Sequence, residues 1–260
     1  MKLRILQIDA FAEKVFQGNP AAVCPLQEWI SDDLMQKIAL ENNLSETVFF
    51  VREGDSYRIR WFTPLREVDL CGHATLATAY HLFFQDGLAG DRIRFQSASG
   101  ELNVFKNENI LYLDFPSRKP NKTEIPKSIL NSFSIAPAEV FKSRDYMLVY
   151  ENETQLRNVT CSVEGLRDMD ALGVILTCPG NGEFDFLSRF FSASIGLAED
   201  PVTGSSHCTL IPFWSERLGK KNLKAFQASS RGGKLFCEDL GDRVRIGGVC
   251  VPYLEGWIEV

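Results

Sequence analysis

The chain opens on alternating apolar and polar positions, with Leu3, Ile5, Leu6 and Ile8 set among Arg4, Gln7 and Asp9; this predicts a strand from Leu3 to Phe11. A turn follows at Gly18-Asn19-Pro20, then a short apolar run from Ala21 to Cys24. Ser31 suits the N-cap of a helix from Asp32 to about Asn42, acidic in its first turn, with an apolar face at Leu34, Ile38 and Leu40. Val48 to Val51 and Tyr57 to Phe62 read as strands joined by a hairpin turn at Glu53-Gly54-Asp55. From Gly72 to Gln85 the pattern is helical and apolar almost all round, through Leu76, Ala77, Ala79, Tyr80, Leu82 and Phe83. A helix with no polar face is a buried one. Two further strands are expected at Arg92 to Gln96 and Ile110 to Phe115.

Pro116 to Lys127 holds three prolines and several lysines, which makes it the linker between two domains, 1–116 and 117–260. The second half then repeats the order of the first. Strands are expected at Met147 to Tyr150, Gly173 to Cys178 and Phe184 to Phe191, a helix from about Ser205 to Leu218, and strands at Lys224 to Ala228, Lys234 to Glu238, Val244 to Ile246 and Trp257 to Val260. The last strand is free to return to the first domain. In both halves a strand, a loop and a glycine-led helix follow one another, and internal duplication is the economical explanation. Pro212 falls inside the second helix and should loosen its first two turns.

The 260 residues, 45% hydrophobic and 24% charged, are those of a soluble globular protein, and no apolar run reaches the length of a membrane span. Asp9 and Glu13 in the first strand region argue against a signal peptide. Seven cysteines with no CxxC pair point to a reducing, cytoplasmic setting. A formal charge of −6 argues against nucleic acid, and it means that an anionic ligand must be held by local dipoles. There is no HExxH, no clustered His/Cys set at zinc spacing, no phosphate-binding GxxxxGK[ST] loop and no GxGxxG, so neither a metal nor a cofactor is implied.

The chemistry concentrates in two strings, Cys71-Gly72-His73-Ala74-Thr75 and Thr203-Gly204-Ser205-Ser206-His207, each preceded by an acid, Asp69 or Asp200. Gly72 and Gly204 at helix starts let the backbone approach a ligand, and the free N–H groups there attract an anion. Glu46 stands where a polar loop enters an apolar strand; the loss of hydration there suits a group that gives and takes a proton near neutrality, although a surface glutamate has the same local pattern. His73, one residue into its helix, faces a dipole that disfavours the imidazolium, so a neutral ring is expected. Asp200, Ser205 and Ser206 read singly as helix-entry residues and jointly as a site. Cys71 and Thr203 hold matching places, so a device of two opposed thiols is absent, and Cys71 reads as a small core residue rather than a nucleophile. Arg231-Gly232-Gly233 reads as a plain hairpin turn.

Four stretches carry a resemblance to the PhzF family, named for a phenazine-biosynthesis isomerase: Gln7-Ile8-Asp9-Ala10-Phe11 with Gly18-Asn19-Pro20-Ala21-Ala22-Val23, Asn43-Leu44-Ser45-Glu46-Thr47, Cys71-Gly72-His73-Ala74-Thr75, and Glu199-Asp200-Pro201-Val202-Thr203-Gly204-Ser205. Pro212 belongs to the same family pattern. The resemblance covers essentially the whole chain. It implies an α+β, diaminopimelate epimerase-like fold: two similar domains, each a curled, mainly antiparallel sheet around a central helix, with the site between them. It also implies a cofactor-independent isomerase, commonly a homodimer, in which Glu46 transfers the proton. His73, Asp200 and Ser205 then line the site, and Asn19, Gly72, Gly204 and Ser206 hold a small amino or hydroxy carboxylic acid. An amino-acid racemase or epimerase, and a metabolite-binding protein without turnover, are the alternatives.

Overall fold

In a computed structural model, which describes residues 1–192 and 199–260, the first half of the chain runs β1 (Lys2–Ala10), β2 (Asn19–Leu26), α1 (Asp32–Asn42), β3 (Glu46–Glu53), β4 (Ser56–Phe62), β5 (Glu67–Val68), α2 (Gly72–Tyr80), a π-helical turn (His81–Gln85), β6 (Arg92–Ser97), β7 (Gly100–Asn107) and β8 (Ile110–Pro116). It continues through β9 (Asn121–Lys122), α3 (Lys127–Leu130), β10 (Glu139–Lys142), β11 (Tyr146–Val149), α4 (Glu153–Asn158), a 3-10 turn (Val163–Leu166), β12 (Val174–Pro179) and β13 (Phe186–Phe191). A second 3-10 turn (Gly204–Ser206) leads into α5 (His207–Leu218), followed by β14 (Asn222–Gln227), β15 (Gly233–Asp239), β16 (Arg243–Gly248) and β17 (Cys250–Glu259). The loop expected between β13 and Gly204 lies partly outside the described residues. No helix among the described residues is long and apolar enough to cross a membrane.

The chain divides into two compact units, Met1–Asp114 with Gly247–Val260, and Phe115–Ile246. The division expected at 116/117 therefore shifts by two residues, and the C-terminal strand leaves the second half. The reason is pairing: β17 lies antiparallel to β1 from Lys2↔Glu259 to Ala10↔Cys250.

In the first unit β1 pairs antiparallel with β2, β2 parallel with β3, β3 antiparallel with β4, β4 parallel with β6, and β6 antiparallel with β7. Every residue of α2 from His73 to Ala79 is buried, and the helix packs on β1, β2, β3 and β17. The continuous helix expected to Gln85 passes into the π-helical turn after Tyr80. Helix α1 starts as its sequence requires, with Ser31 Oγ accepting from the Leu34 N–H at 3.3 Å. Its buried face is Met35, Ile38 and Ala39, with Leu34 half-buried against the same core as expected, but Leu40 is 57% exposed. The i, i+3, i+4 spacing explains the correction, because Leu40 sits one position round the helix from the seam.

The second unit has the same ladder. β10 pairs antiparallel with β11, β11 parallel with β12, β12 antiparallel with β13, β13 parallel with β14, and β14 antiparallel with β15. The short helix α4 takes the place of α1, and α5 the place of α2. Pro212 leaves the carbonyl of Cys208 without its helical donor, and the Arg118 N–H supplies one at 2.8 Å. The loosening falls in the first turn, which is 3-10. The segment expected to be a linker is thus part of the second unit and repairs its helix. Strands β7 and β10 and helix α4 were not expected, because their short polar sequences carry no clear period.

The turn between β1 and β2 is tight. Gly18 has φ +64°, and a Cβ there would stand 2.1 Å from the Ala10 carbonyl oxygen. Gly18→Ala is expected to cost more than about 1 kcal/mol, read as a lower denaturant midpoint at unchanged slope; an unchanged midpoint would show that the turn relaxes freely.

Candidate active site

Two elements bring the first group together. Glu46 is the first residue of β3, and the parallel register sets it opposite Ala21 of β2. Cys71 is the extended residue before α2, and its carbonyl accepts from both the Thr75 N–H at 3.3 Å and the Thr75 hydroxyl at 2.6 Å. This fixes the entry of the helix and sets Gly72 and His73 on its first turn. His73 Nε2 lies 3.1 Å from Glu46 Oε2, yet that oxygen, though buried, takes no aligned hydrogen bond from any described residue. The Cys71 sulfur is 3.5 Å from His73 Nδ1 and 4.0 Å from Nε2. Such similar distances put it beside the ring, not along either N–H axis.

Burial pushes the Cys71 thiol up to about 11, and the Glu46 charge adds to the effect. The thiol therefore keeps its proton near neutrality and is a poor nucleophile. Burial also opposes the His73 imidazolium, but the Cys71 sulfur and the Glu46 carboxylate outweigh it and hold His73 well above the ordinary imidazole range. Because the thiol is protonated, the carboxylate is the neighbour that matters at neutral pH. The neutral ring expected from the helix dipole is thus corrected: a carboxylate at 3.1 Å is a stronger influence than the helix end. Asn19, the first residue of β2, is fully buried and pairs with Ala10, two positions before the residue facing Glu46. Cys71, His73 and Glu46 offer one sulfur, one nitrogen and one oxygen within 4.8 Å of one another, the donor types that a transition metal takes.

The second group lies in the other unit. Asp200 Oδ2 accepts from the Thr203 hydroxyl at 2.5 Å, and the Asp200 carbonyl accepts from the Gln227 amide at 2.8 Å. Gln227 in turn accepts from the Thr203 N–H at 2.9 Å. Gly204 begins the 3-10 turn. Ser205 Oγ accepts from Arg144 at 3.0 Å, and Arg144 also binds the fully buried Asp145. Ser206 is turned inward, its hydroxyl donating to the Thr203 carbonyl at 2.8 Å. Sequence reading missed Arg144, Asp145 and Gln227. They come from strand ends far along the chain, and only the duplicated ladder could have pointed to them, since Asp145 precedes β11 as Gly18 precedes β2.

A carboxylate, a cationic ring and a free helix start can together accept a proton, return it and hold an anion. The mainly-strand fold is of the diaminopimelate epimerase-like kind. Residues 8–256 match the model of the family described as phenazine biosynthesis-like protein, and the chain belongs to that PhzF family. It is 46% identical to an "uncharacterized isomerase" of Pseudomonas aeruginosa over the whole of both chains. The crystal structure of a PhzF-family phenazine biosynthesis protein from Enterococcus faecalis is similar at a TM-score of 0.96 and 44% identity, covering 100% of each chain. A hydroxyproline epimerase from Agrobacterium vitis shares the fold alone, at a TM-score of 0.62 and 9% identity, over 99% of this chain and 92% of that one.

His207 supplies a pH test. It is fully buried, its Nδ1 donates to the Thr203 carbonyl at 2.9 Å, and burial lowers its pKa to about 4. Between about pH 6.5 and that value the unfolded chain binds a proton that the folded one refuses, so stability falls as pH drops, by up to about 3 kcal/mol. His207→Asn is expected to flatten the decline in urea midpoint between pH 7 and pH 4.5; an equal decline in the variant would refute the assignment.

Proposed function

We propose that the protein is an isomerase that moves a proton between positions on a small amino or hydroxy carboxylic acid, without a cofactor, using Glu46 as the general acid and base. The observation that carries this reading is the Glu46–His73 contact of 3.1 Å at the buried start of α2. The curated relatives named as isomerases, full-length matches at 42% to 46% identity, support it.

Glu46 takes the proton from carbon as a carboxylate and returns it as a carboxylic acid. The His73 imidazolium steadies the carboxylate between turnovers. The first N–H groups of α2, at Gly72 and His73, have no helical acceptor and suit the substrate's carboxylate. The free N–H groups at Gly204 and Ser205 offer the same chemistry in the second unit. Asp200, Ser205 and Asn19 are assigned to positioning the substrate, whereas Ser206, turned inward onto the Thr203 carbonyl, holds the helix entry. General acid–base help of this kind is worth about 10²- to 10⁴-fold, so binding and orientation supply the rest of the acceleration. A two-thiol racemase is disfavoured, because Thr203 stands where the second cysteine would be and the Cys71 thiol is pushed up to about 11. Seven free cysteines fit a reducing compartment such as the cytoplasm.

A screen of small amino and hydroxy acids for thermal stabilisation would find a ligand, since one present at 100 times its Kd adds about 2.7 kcal/mol. The wild-type protein is then expected to exchange a carbon-bound hydrogen of that ligand with deuterated water. Glu46→Gln should lose at least about 10²-fold of that exchange while keeping the thermal stabilisation; exchange at the wild-type rate would overturn the reading.

A further inference from the structure

We infer that Arg144 is the specificity-determining residue that takes a carboxylate of the ligand in the second unit, with the Ser205 hydroxyl as its second donor, and that the buried Asp145 is its positioning residue. The inference rests on the function proposed above only in taking the ligand to be a carboxylic acid.

Arg144 stands two positions before β11, and its guanidinium is spent on one side only. Nε and Nη2 both donate to a single oxygen of Asp145, Oδ2, at 3.1 and 2.8 Å. Nη2 also donates to Ser205 Oγ at 3.0 Å. Nη1, with its two N–H groups, donates to nothing among the described residues. Because Ser205 Oγ accepts from the arginine, its own O–H points elsewhere, and it has no acceptor among the described residues. The pair therefore offers an N–H and an O–H side by side, a match for the two oxygens of one carboxylate.

Asp145 fixes the direction of those donors. It is fully buried, whereas the Arg144 side chain keeps 27% of its exposure, so a ligand reaches the pair from the arginine. The guanidinium is planar and always charged. Pinned to the aspartate through Nε and Nη2, its plane has one orientation, and Nη1 keeps its place beside Ser205.

The local charge agrees. Arg144 and Asp145 alone would cancel, but Arg118 adds a second cation. Its N–H bonds the Cys208 carbonyl of α5 at 2.8 Å, and its guanidinium has no carboxylate partner among the described residues. Burial pushes the Cys208 thiol up to about 11, while Arg118 and then Arg144 pull against it more strongly than Asp145 pushes with it. The start of α5 is thus locally positive in a chain of formal charge −6. Such a field draws in an acid and gives nothing to a neutral ligand of the same shape.

Benzoate and benzamide are the probes, because they share a shape and differ in the carboxylate. In full-length protein carrying isotope-labelled arginine, the Arg144 Nε–H signal is identified by its loss in Arg144→Gln. It should move on titration with benzoate and stay still with benzamide. The wild-type protein should prefer benzoate by at least about tenfold. Arg144→Gln, shown to be folded by circular dichroism, should lose that preference, and Ser205→Ala should reduce it. No response of the Arg144 signal to benzoate, no preference in the wild-type protein, or a full preference in Arg144→Gln overturns the inference. For the positioning role, Asp145→Asn should weaken benzoate with Arg144 still present and leave benzamide unchanged; wild-type affinity for benzoate overturns that half. Should this variant not fold, the wild-type Arg144 Nε–H decides, since bonding to a buried carboxylate makes it exchange with water more slowly than the other arginines; ordinary exchange there overturns the positioning half. If the wild-type protein exchanges a carbon-bound hydrogen of a screened acid but shows no Arg144-dependent preference, this inference falls and the proposed function stands. If the preference is found and no acid exchanges hydrogen, the reverse holds.

Discussion

A helix buried on all sides must start inside the protein, and most of what is distinctive here follows from how α2 does so. Its first N–H groups and the carbonyls around its entry have little water to bond, so side chains close the accounts. Thr75 returns to the Cys71 carbonyl, and Thr78 to that of Ala74 at 2.8 Å. The same burial makes any charge at the helix start costly unless a partner stands beside it. Glu46 and His73 are each other's partner. The parallel register of β2 and β3 sets Glu46 opposite Ala21 at the start of β3, and its side chain meets His73 on the first turn of α2. Strand register and the Glu46–His73 contact are therefore one constraint.

The duplicated ladder shows how far the two halves have parted from one plan. Both units run antiparallel, parallel, antiparallel, parallel, antiparallel, with the long helix inserted at the same step. At that step the first unit has Cys71 and His73 where the second has Thr203 and Ser205. Opposite Ala21 stands Glu46, whereas β12 opens with Val174 opposite Tyr146. The second unit thus has the helix start without the Glu46–His73 pair. What it has gained is a cation, Arg144, bonded to Ser205 and held by a buried aspartate.

Most of the strands, and the helices α1, α2 and α5, were legible because each carries a strong local signal: alternation in β1, the Ser31 cap before α1, the unbroken apolar run of α2. The repeat was legible because those signals recur in the same order. β7 and α4 were not, since Gly100 to Asn107 is half polar and Glu153 to Asn158 is too short to show a period. The Gln227 bridge across Asp200 and Thr203 was hidden for a different reason. It joins positions 24 to 27 residues apart through a side chain whose local sequence says nothing of the loop it holds. Leu40 shows the limit within a correct helix: hydrophobicity alone does not place a residue on the buried seam.

The charge state of the cluster settles a tension in the sequence itself. A chain with a formal charge of −6 and a glutamate at its key position is a poor host for a carboxylate, and a neutral histidine would not mend that. With the Cys71 thiol pushed up by burial and His73 held toward its protonated form, a positive charge is favoured beside the Glu46 side chain. An anion arriving at the first turn of α2 then meets the helix's own free N–H groups instead of a bare negative charge. The link runs both ways: an anion bound there favours the proton on His73, and that proton favours the anion. In the proposed function, the Glu46–His73 pair is thus what would let one helix start hold both an acid–base carboxylate and an acidic ligand.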